Sequence, residues 1–254
     1  QRGFVSFFDF FNIFIPSVVN YIIPAVIMSF FISNKVPEGD GKKVQILPGG
    51  KVIAILGILT IMITVTGHQL LHMPPVFGMM FGLGLLGTYG YFLKIKSTEK
   101  NKFDIFQLTG KAEWDTLLFF YGILVSVGGL AALGYLKLIS DDMYITLGPT
   151  YANILVGFLS AIIDNIPIVY AVLTAHPSMD MGQWLLITLT AGVGGSLLSI
   201  GSAAGVALMG QARGIYTFFA HLKWSWAILL GYAASVATHL WLNSHLFDLV
   251  PLSK

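Results

Sequence analysis

Four stretches of this chain carry no formally charged side chain: Phe10 to Ser33, Val52 to Gly67, Pro75 to Leu93 and Trp224 to Phe247. A fifth, Trp114 to Ile139, has only Asp115 near its start and Lys137 near its end. An α-helix needs about 20 apolar residues to cross a hydrocarbon core of roughly 30 Å, and these runs approach or meet that length. Only 10% of the residues are charged and 56% are hydrophobic, whereas soluble domains are about 25% charged. The expected fold class is therefore an all-α polytopic membrane protein, with the lipid bilayer as its main partner. The sequence has no cysteine, which excludes disulfides and thiolate metal sites, and no Lys/Arg run dense enough for a nucleic-acid face. Gln1 is not a start methionine, and Arg2 to Phe31 is too long and proline-broken for a signal peptide, so the chain is expected to continue upstream.

Cationic residues sort the loops, because cytoplasmic loops accumulate Lys and Arg. Lys35, Lys42, Lys43 and Lys51 fall in one loop, and Lys94, Lys96, Lys100, Lys102 and Lys111 in another. Placing both in the cytoplasm makes Val52 to Gly67 and Pro75 to Leu93 an antiparallel pair, and sends Trp114 to Ile139 outward to Asp141-Asp142. Arg213 and Lys223 should return to the cytoplasm, so the chain between must cross a net odd number of times. A re-entrant hairpin with arms Tyr144 to Leu159 and Ile168 to Ala175, followed by one interrupted crossing, satisfies the count. Pro16 and Pro24 are expected to kink the first span.

Between Met143 and Ala204 the only acids are Asp164 and Asp180. Asp164 lies inside an apolar run, Leu159-Ser-Ala-Ile-Ile-Asp-Asn-Ile-Pro167, where a carboxylate is costly and most often functional. Further on, Gly192-Val-Gly-Gly-Ser-Leu-Leu-Ser-Ile-Gly-Ser-Ala-Ala-Gly205 interrupts a second apolar run with glycines and hydroxyls. Bare backbone at membrane depth is tolerated only against protein or a water-filled cavity. In transporters such breaks supply carbonyls and half-helix ends to an ion. The candidate ligands for a small hard cation are Asp164, Asn165, Ser160, Thr190, Ser196, Ser199 and Ser202, with backbone at Gly194, Gly195 and Gly201. Of these, Asp164, Asn165, Ser199 and Ser202 are the expected direct Na⁺ ligands. Asp164 can be neutralised by a proton or a metal ion, and competition between the two gives exchange. The bland alternatives are an Asp164 bonded to a neighbouring helix end, glycines that only tighten helix packing, and a simple turn at Asn165-Ile-Pro167. Glu113 and Asp115 read as favourable charges at a helix N-terminus. The histidines read as solvated groups near span ends, with His239 somewhat inside its helix. No resident cofactor is expected.

Three segments resemble a known family: Ser160-Ala-Ile-Ile-Asp-Asn-Ile-Pro167, the stretch from Ala191 to Arg213, and Glu113-Trp-Asp-Thr-Leu-Leu-Phe-Phe120. They are similar to the C-terminal half of NhaD-type sodium/proton antiporters of the ion transporter superfamily, which also holds arsenite permeases and dicarboxylate carriers. The resemblance spans Lys51 to Phe247. It implies two inverted repeats, each of three spans, a re-entrant helical hairpin, a discontinuous transmembrane helix and a closing span. On that scheme 1–33 holds the last span of a missing first repeat and 34–51 is a cytoplasmic linker. Residues 52–139 are three scaffold spans, 144–213 the transport unit, and 224–254 the closing span and C-terminus. The family's hairpin acid and amide map to Asp164 and Asn165, and its broken-helix loop to Ser196 through Ser202. The missing repeat, or a second polypeptide, is expected to complete the site, and the resemblance leaves room for a homodimer.

The expected function is exchange of Na⁺ (or Li⁺) for H⁺ across the bacterial inner membrane. One rival is an anion permease of the same superfamily, carrying arsenite or a dicarboxylate, although Asp164 would repel such cargo. Another is an intramembrane serine hydrolase using Ser199 or Ser202 with His239, although the Gly-x-Ser-x-Gly elbow is absent.

Overall fold

The computed structural model describes residues 5–31, 49–96, 110, 114–212 and 214–247, and every regular element among them is helical. Much of the expected linker (34–48), the cationic stretch at 97–109 and 111–113 (including Glu113), and Arg213 lie outside the described residues. The chain divides into two compact units, Lys35–Asp115 and Gln1–Asn34 with Thr116–Lys254.

The unit Lys35–Asp115 holds α2 (Gly50–Leu71) and α3 (Pro75–Lys96). Gly49 lies against Leu93, Thr60 against Gly82, and Thr64 against Gly78. Residue numbers that fall on one helix as they rise on the other make the pair antiparallel, as the loop charges predict. Glycine is required at 78 and 82, since a Cβ at 78 would stand 2.6 Å from the Thr64 Cα. Small residues at such crossings let two helices touch along their backbones. The Thr60 and Thr64 hydroxyls donate to the carbonyls of Leu56 and Thr60, at 2.8 and 2.7 Å, which satisfies them without water. Their other faces expose Ile55, Ile58, Met62, Phe77, Met80 and Phe81, and both helices are long and apolar enough to cross a membrane.

In the other unit a 3₁₀ turn, Phe8–Ile13, leads into α1 (Phe14–Ser29), together forming another apolar span. α1 lies along the last long helix, α10 (Ser225–Leu242). α1 continues through Pro24. What the proline removes is the N–H that would reach the carbonyl of Asn20, and Gly231 of α10 fits against that oxygen, where a Cβ would stand 2.7 Å away.

The expected span Trp114 to Ile139 ends early. α4 covers Trp114–Ala132, Gly134 takes a left-handed φ of 81°, and α5 (Tyr135–Ser160) departs at 79°. α5 itself has non-helical backbone at Gly148 (φ 74°, ψ 157°), just before Pro149. Within the expected arm Tyr144 to Leu159, the helix is therefore straight only from Pro149, and it runs on to Ser160. α6 (Asn165–Ala175) follows, then α7 (Met181–Gly194), α8 (Ala203–Gln211) and the short α9 (Phe218–Leu222).

α7 sits among α5, α6 and α10, and from Gly182 to Ala191 only Thr188 is not buried. Asn153, fully buried on α5, locks the two helices. Its Oδ1 accepts from the Tyr144 hydroxyl at 2.8 Å, and its Nδ2 donates to the carbonyl and Oε1 of Gln183, both at 3.0 Å. The Thr190 hydroxyl donates to the Asn153 carbonyl at 2.9 Å. A buried amide with all its partners present fixes one register between helices.

Candidate functional site

α5 ends at Ser160 and α6 begins at Asn165, so the connection is a tight tip, Ala161 to Asp164. The N–H groups of Ala161, Ile162 and Ile163 donate back to Phe158 and Leu159 at 2.9–3.1 Å. Asp164 occupies the N-cap position of α6 with φ −48° and ψ 145°, yet its side chain caps nothing. Its Oδ2 is buried and has no hydrogen-bond partner among the described residues. The sequence removes one of the two usual donors. An N-cap aspartate ordinarily accepts from the N–H of the second or third helical residue, and here the third is Pro167, which has none.

The second break runs from Gly195 to Ser202, between α7 and α8. Ser202 caps α8, accepting from the Gly205 N–H at 3.1 Å. Ser199 is 1% exposed and its hydroxyl meets the Met209 sulfur at 3.4 Å. Ser196 donates to Val193 at 2.6 Å and Ser160 to Ala191 at 2.7 Å. In Ser160, Ser196 and Ser199 the hydroxyl proton is committed while lone pairs remain, whereas Ser202 spends one lone pair on the cap.

Glycines bring tip and break together. Gly194 lies against the Gly157 carbonyl, and Gly201 against the carbonyls of Ala161 and Ser160; a Cβ on Gly201 would stand 2.7 Å from the Ser160 oxygen. A Cβ on Gly195 would stand 2.8 Å from the Gly201 carbonyl and 3.5 Å from the Ser160 hydroxyl. Oxygens of Ser160, Ala161 and Gly201 thus crowd one junction. No donor among the described residues reaches the carbonyls of Ala161, Ile200 or Gly201. The structure therefore gathers Ser160, Gly194, Gly195 and Gly201. Ser196, Ser199 and Ser202 lie along the break, and Thr190 one turn before it. Asp164 closes the tip and Asn165 follows it, and no hydrogen bond among the described residues joins them to the break.

The histidines depart from the solvated expectation at two places. His239 is fully buried, with Nε2 3.0 Å from the Gly182 carbonyl and Nδ1 2.9 Å from the Asn243 amide nitrogen, which also donates to Asn12 at 2.9 Å. A carbonyl can only accept, so Nε2 carries the hydrogen and Nδ1 accepts from Asn243. With both ring nitrogens engaged and Ser199 turned to Met209, the pairing needed for a serine nucleophile is not formed. His221 is half-buried, with Nε2 3.0 Å from the Ser196 carbonyl and Nδ1 2.6 Å from the Tyr216 hydroxyl. Nothing in the local sequence marks His221 as a neighbour of the break, because the contact is made by the return of the chain after α8.

Comparison with known proteins bears on this geometry. The CitMHS family model, described as citrate transporter, matches residues 1–192. The chain is 53% identical to the Na⁺/H⁺ antiporter NhaD of Alkalimonas amylolytica over 98% of its own length and 56% of that protein. It is 49% identical to NhaD of Vibrio cholerae serotype O1 over 97% of its length and 57% of that protein. It is 34% identical to sodium/proton antiporter 1 of Arabidopsis thaliana over 94% of its length and 43% of that protein. The chain thus spans little more than half the length of the bacterial relatives. No solved structure matches.

Proposed function

This chain belongs to the CitMHS transporter family and, within it, to the NhaD-type sodium/proton antiporters, and we propose that it carries one half of a Na⁺ (or Li⁺) for H⁺ exchange site in the bacterial inner membrane. The observation that carries the reading is the buried Oδ2 of Asp164, unpartnered among the described residues, on a tip packed against a helix break whose Ile200 and Gly201 carbonyls have no donor among those residues. An acid in that position is neutral only with a proton or a cation bound, and the two exclude one another. One carboxylate with neutral hydroxyl, amide and carbonyl oxygens balances a single positive charge, which suits a hard monovalent cation. Asp164 is the proton and ion carrier. Asn165, Ser160, Ser199, Ser202 and the Ala161 and Gly201 carbonyls are its proposed supporting ligands, with Thr190, Gly194, Gly195 and Ser196 shaping the junction.

Lengths support a hairpin that enters and returns on one side. Pro149 to Ser160 and Asn165–Ala175 are each about 16–18 Å at 1.5 Å per residue, roughly half the hydrocarbon core. The hairpin and the α7–α8 line would move as one transport unit, locked by Asn153 and Gln183, with the missing first repeat or a second polypeptide supplying the facing half. A tricarboxylate or other anion is disfavoured because the free carboxylate oxygen repels it.

The test is sodium-dependent decay of ΔpH in everted membrane vesicles from cells expressing the chain together with the half that completes its site, with radioactive sodium and labelled citrate uptake run in parallel. Sodium should be carried and citrate not. Asp164→Asn, which keeps the shape but cannot change charge, should reduce exchange to background, and unaltered exchange in that variant rules out the assigned role.

A further inference from the structure

The helix break is clamped from beyond α8. His221, on α9, reaches back 25 residues to put Nε2 3.0 Å from the Ser196 carbonyl. That oxygen can only accept, so Nε2 carries the hydrogen. In the neutral ring Nδ1 then accepts from the Tyr216 hydroxyl at 2.6 Å, and partial burial raises the pKa of that phenol, keeping it in its donor form. Ser225, at the start of α10, donates to the next carbonyl, Leu197, at 2.6 Å. The Leu198 carbonyl accepts from the Gly201 N–H at 3.1 Å. Three successive carbonyls are therefore committed to donors, while those of Ile200 and Gly201 have none among the described residues.

We propose that His221 is a positioning residue for the ion site: its Nε2–H clamps the Ser196 peptide and so determines which carbonyls between Gly195 and Ser202 stay open to a monovalent cation. This rests on the ion-exchange reading of the same junction. The hydrogen-bonded chain Tyr216, His221, Ser196 is not a proton path, because it ends on a peptide carbonyl that passes no proton on. Its effect is geometric, and a substitution should change ion affinity without changing the turnover step.

The experiment compares unsubstituted protein with His221→Leu and His221→Gln in everted vesicles, reading KM for Na⁺ and Vmax, and follows amide hydrogen exchange across 195–202 in the purified proteins. Leucine removes the donor, whereas the glutamine amide presents an N–H near the position of Nε2. The expected result for His221→Leu is faster exchange of the break amides and a rise in KM of about fivefold, the size of one lost hydrogen bond, with Vmax within about twofold. His221→Gln should restore both readings. Unchanged hydrogen exchange in His221→Leu overturns the clamp. Faster hydrogen exchange with KM unmoved overturns its role at the ion site while leaving sodium/proton exchange standing. If the unsubstituted chain, expressed together with the half that completes its site, shows no sodium-dependent exchange, the ion-exchange reading fails and the positioning role falls with it, whatever the amides report.

Discussion

Gly201→Ala tests the junction most directly. The new Cβ would stand 2.7 Å from the Ser160 carbonyl oxygen and closer still to that of Ala161, whereas ordinary contact begins near 3.4 Å. Both obstacles are backbone, so no rotamer change relieves them, and tip and break must separate by about 0.7 Å or more, taking the difference of those distances. Overpacking of this kind costs about 1–3 kcal/mol. The more telling consequence is geometric, since metal–ligand distances hold to about ±0.2 Å and a displacement several times larger removes a ligand from the shell. A loss of about 1.4 kcal/mol in binding is tenfold in affinity, so KM for Na⁺ should rise at least about tenfold in everted vesicles. Gly192→Ala is the control. No described residue lies within 4 Å of its Cβ, and alanine improves helix propensity by up to about 1 kcal/mol, so its KM should match that of the unsubstituted protein. If Gly201→Ala also keeps the unsubstituted KM, cations do not bind where the tip meets the break.

Pro167→Ala returns an N–H to the third residue of α6, and a capping bond of about 1 kcal/mol becomes available to Asp164. The expected outcome is a transporter of equal or greater thermal stability whose KM for Na⁺ is raised severalfold, because a donor now competes with the cation; an unchanged KM would mean that the carboxylate is not held free for it. Asn153→Leu orphans the Tyr144 hydroxyl and the Oε1 of Gln183, and each buried unsatisfied group costs about 1–3 kcal/mol. Unfolding in detergent should show a loss of about 3 kcal/mol, and a loss below about 0.5 kcal/mol would mean that the α5–α7 network carries no stability.

The spans were legible because composition and length alone decide them. Apolar runs near Phe10, Val52, Pro75 and Trp224 become helices of spanning length, since a backbone in hydrocarbon has few other ways to satisfy itself. Asp164 and the glycine-rich break could be singled out for the same reason, as each violates the apolar pattern around it. Where the pattern is locally permissive, the boundary was not visible. Trp114 to Ile139 reads as one run, but Gly134 can adopt a left-handed turn and the helix departs there at 79°. Within the stretch expected as an arm from Tyr144, α5 is straight only from Pro149, because Gly148 takes a backbone conformation outside the helical region.

By itself, then, the sequence determined that this chain is helical, that it belongs in a bilayer, and that a lone acid and a broken helix are its two anomalies. These are consequences of local chemistry: hydropathy over one span, one charge in an apolar run, and residues that cannot continue a helix. Tertiary structure alone decided that Gly201 rests on the hairpin tip, that Asn153 meets Gln183, and that His221 holds the Ser196 carbonyl. Each is a contact between positions far apart in the chain, set by how helices cross, and no periodicity or composition encodes a crossing.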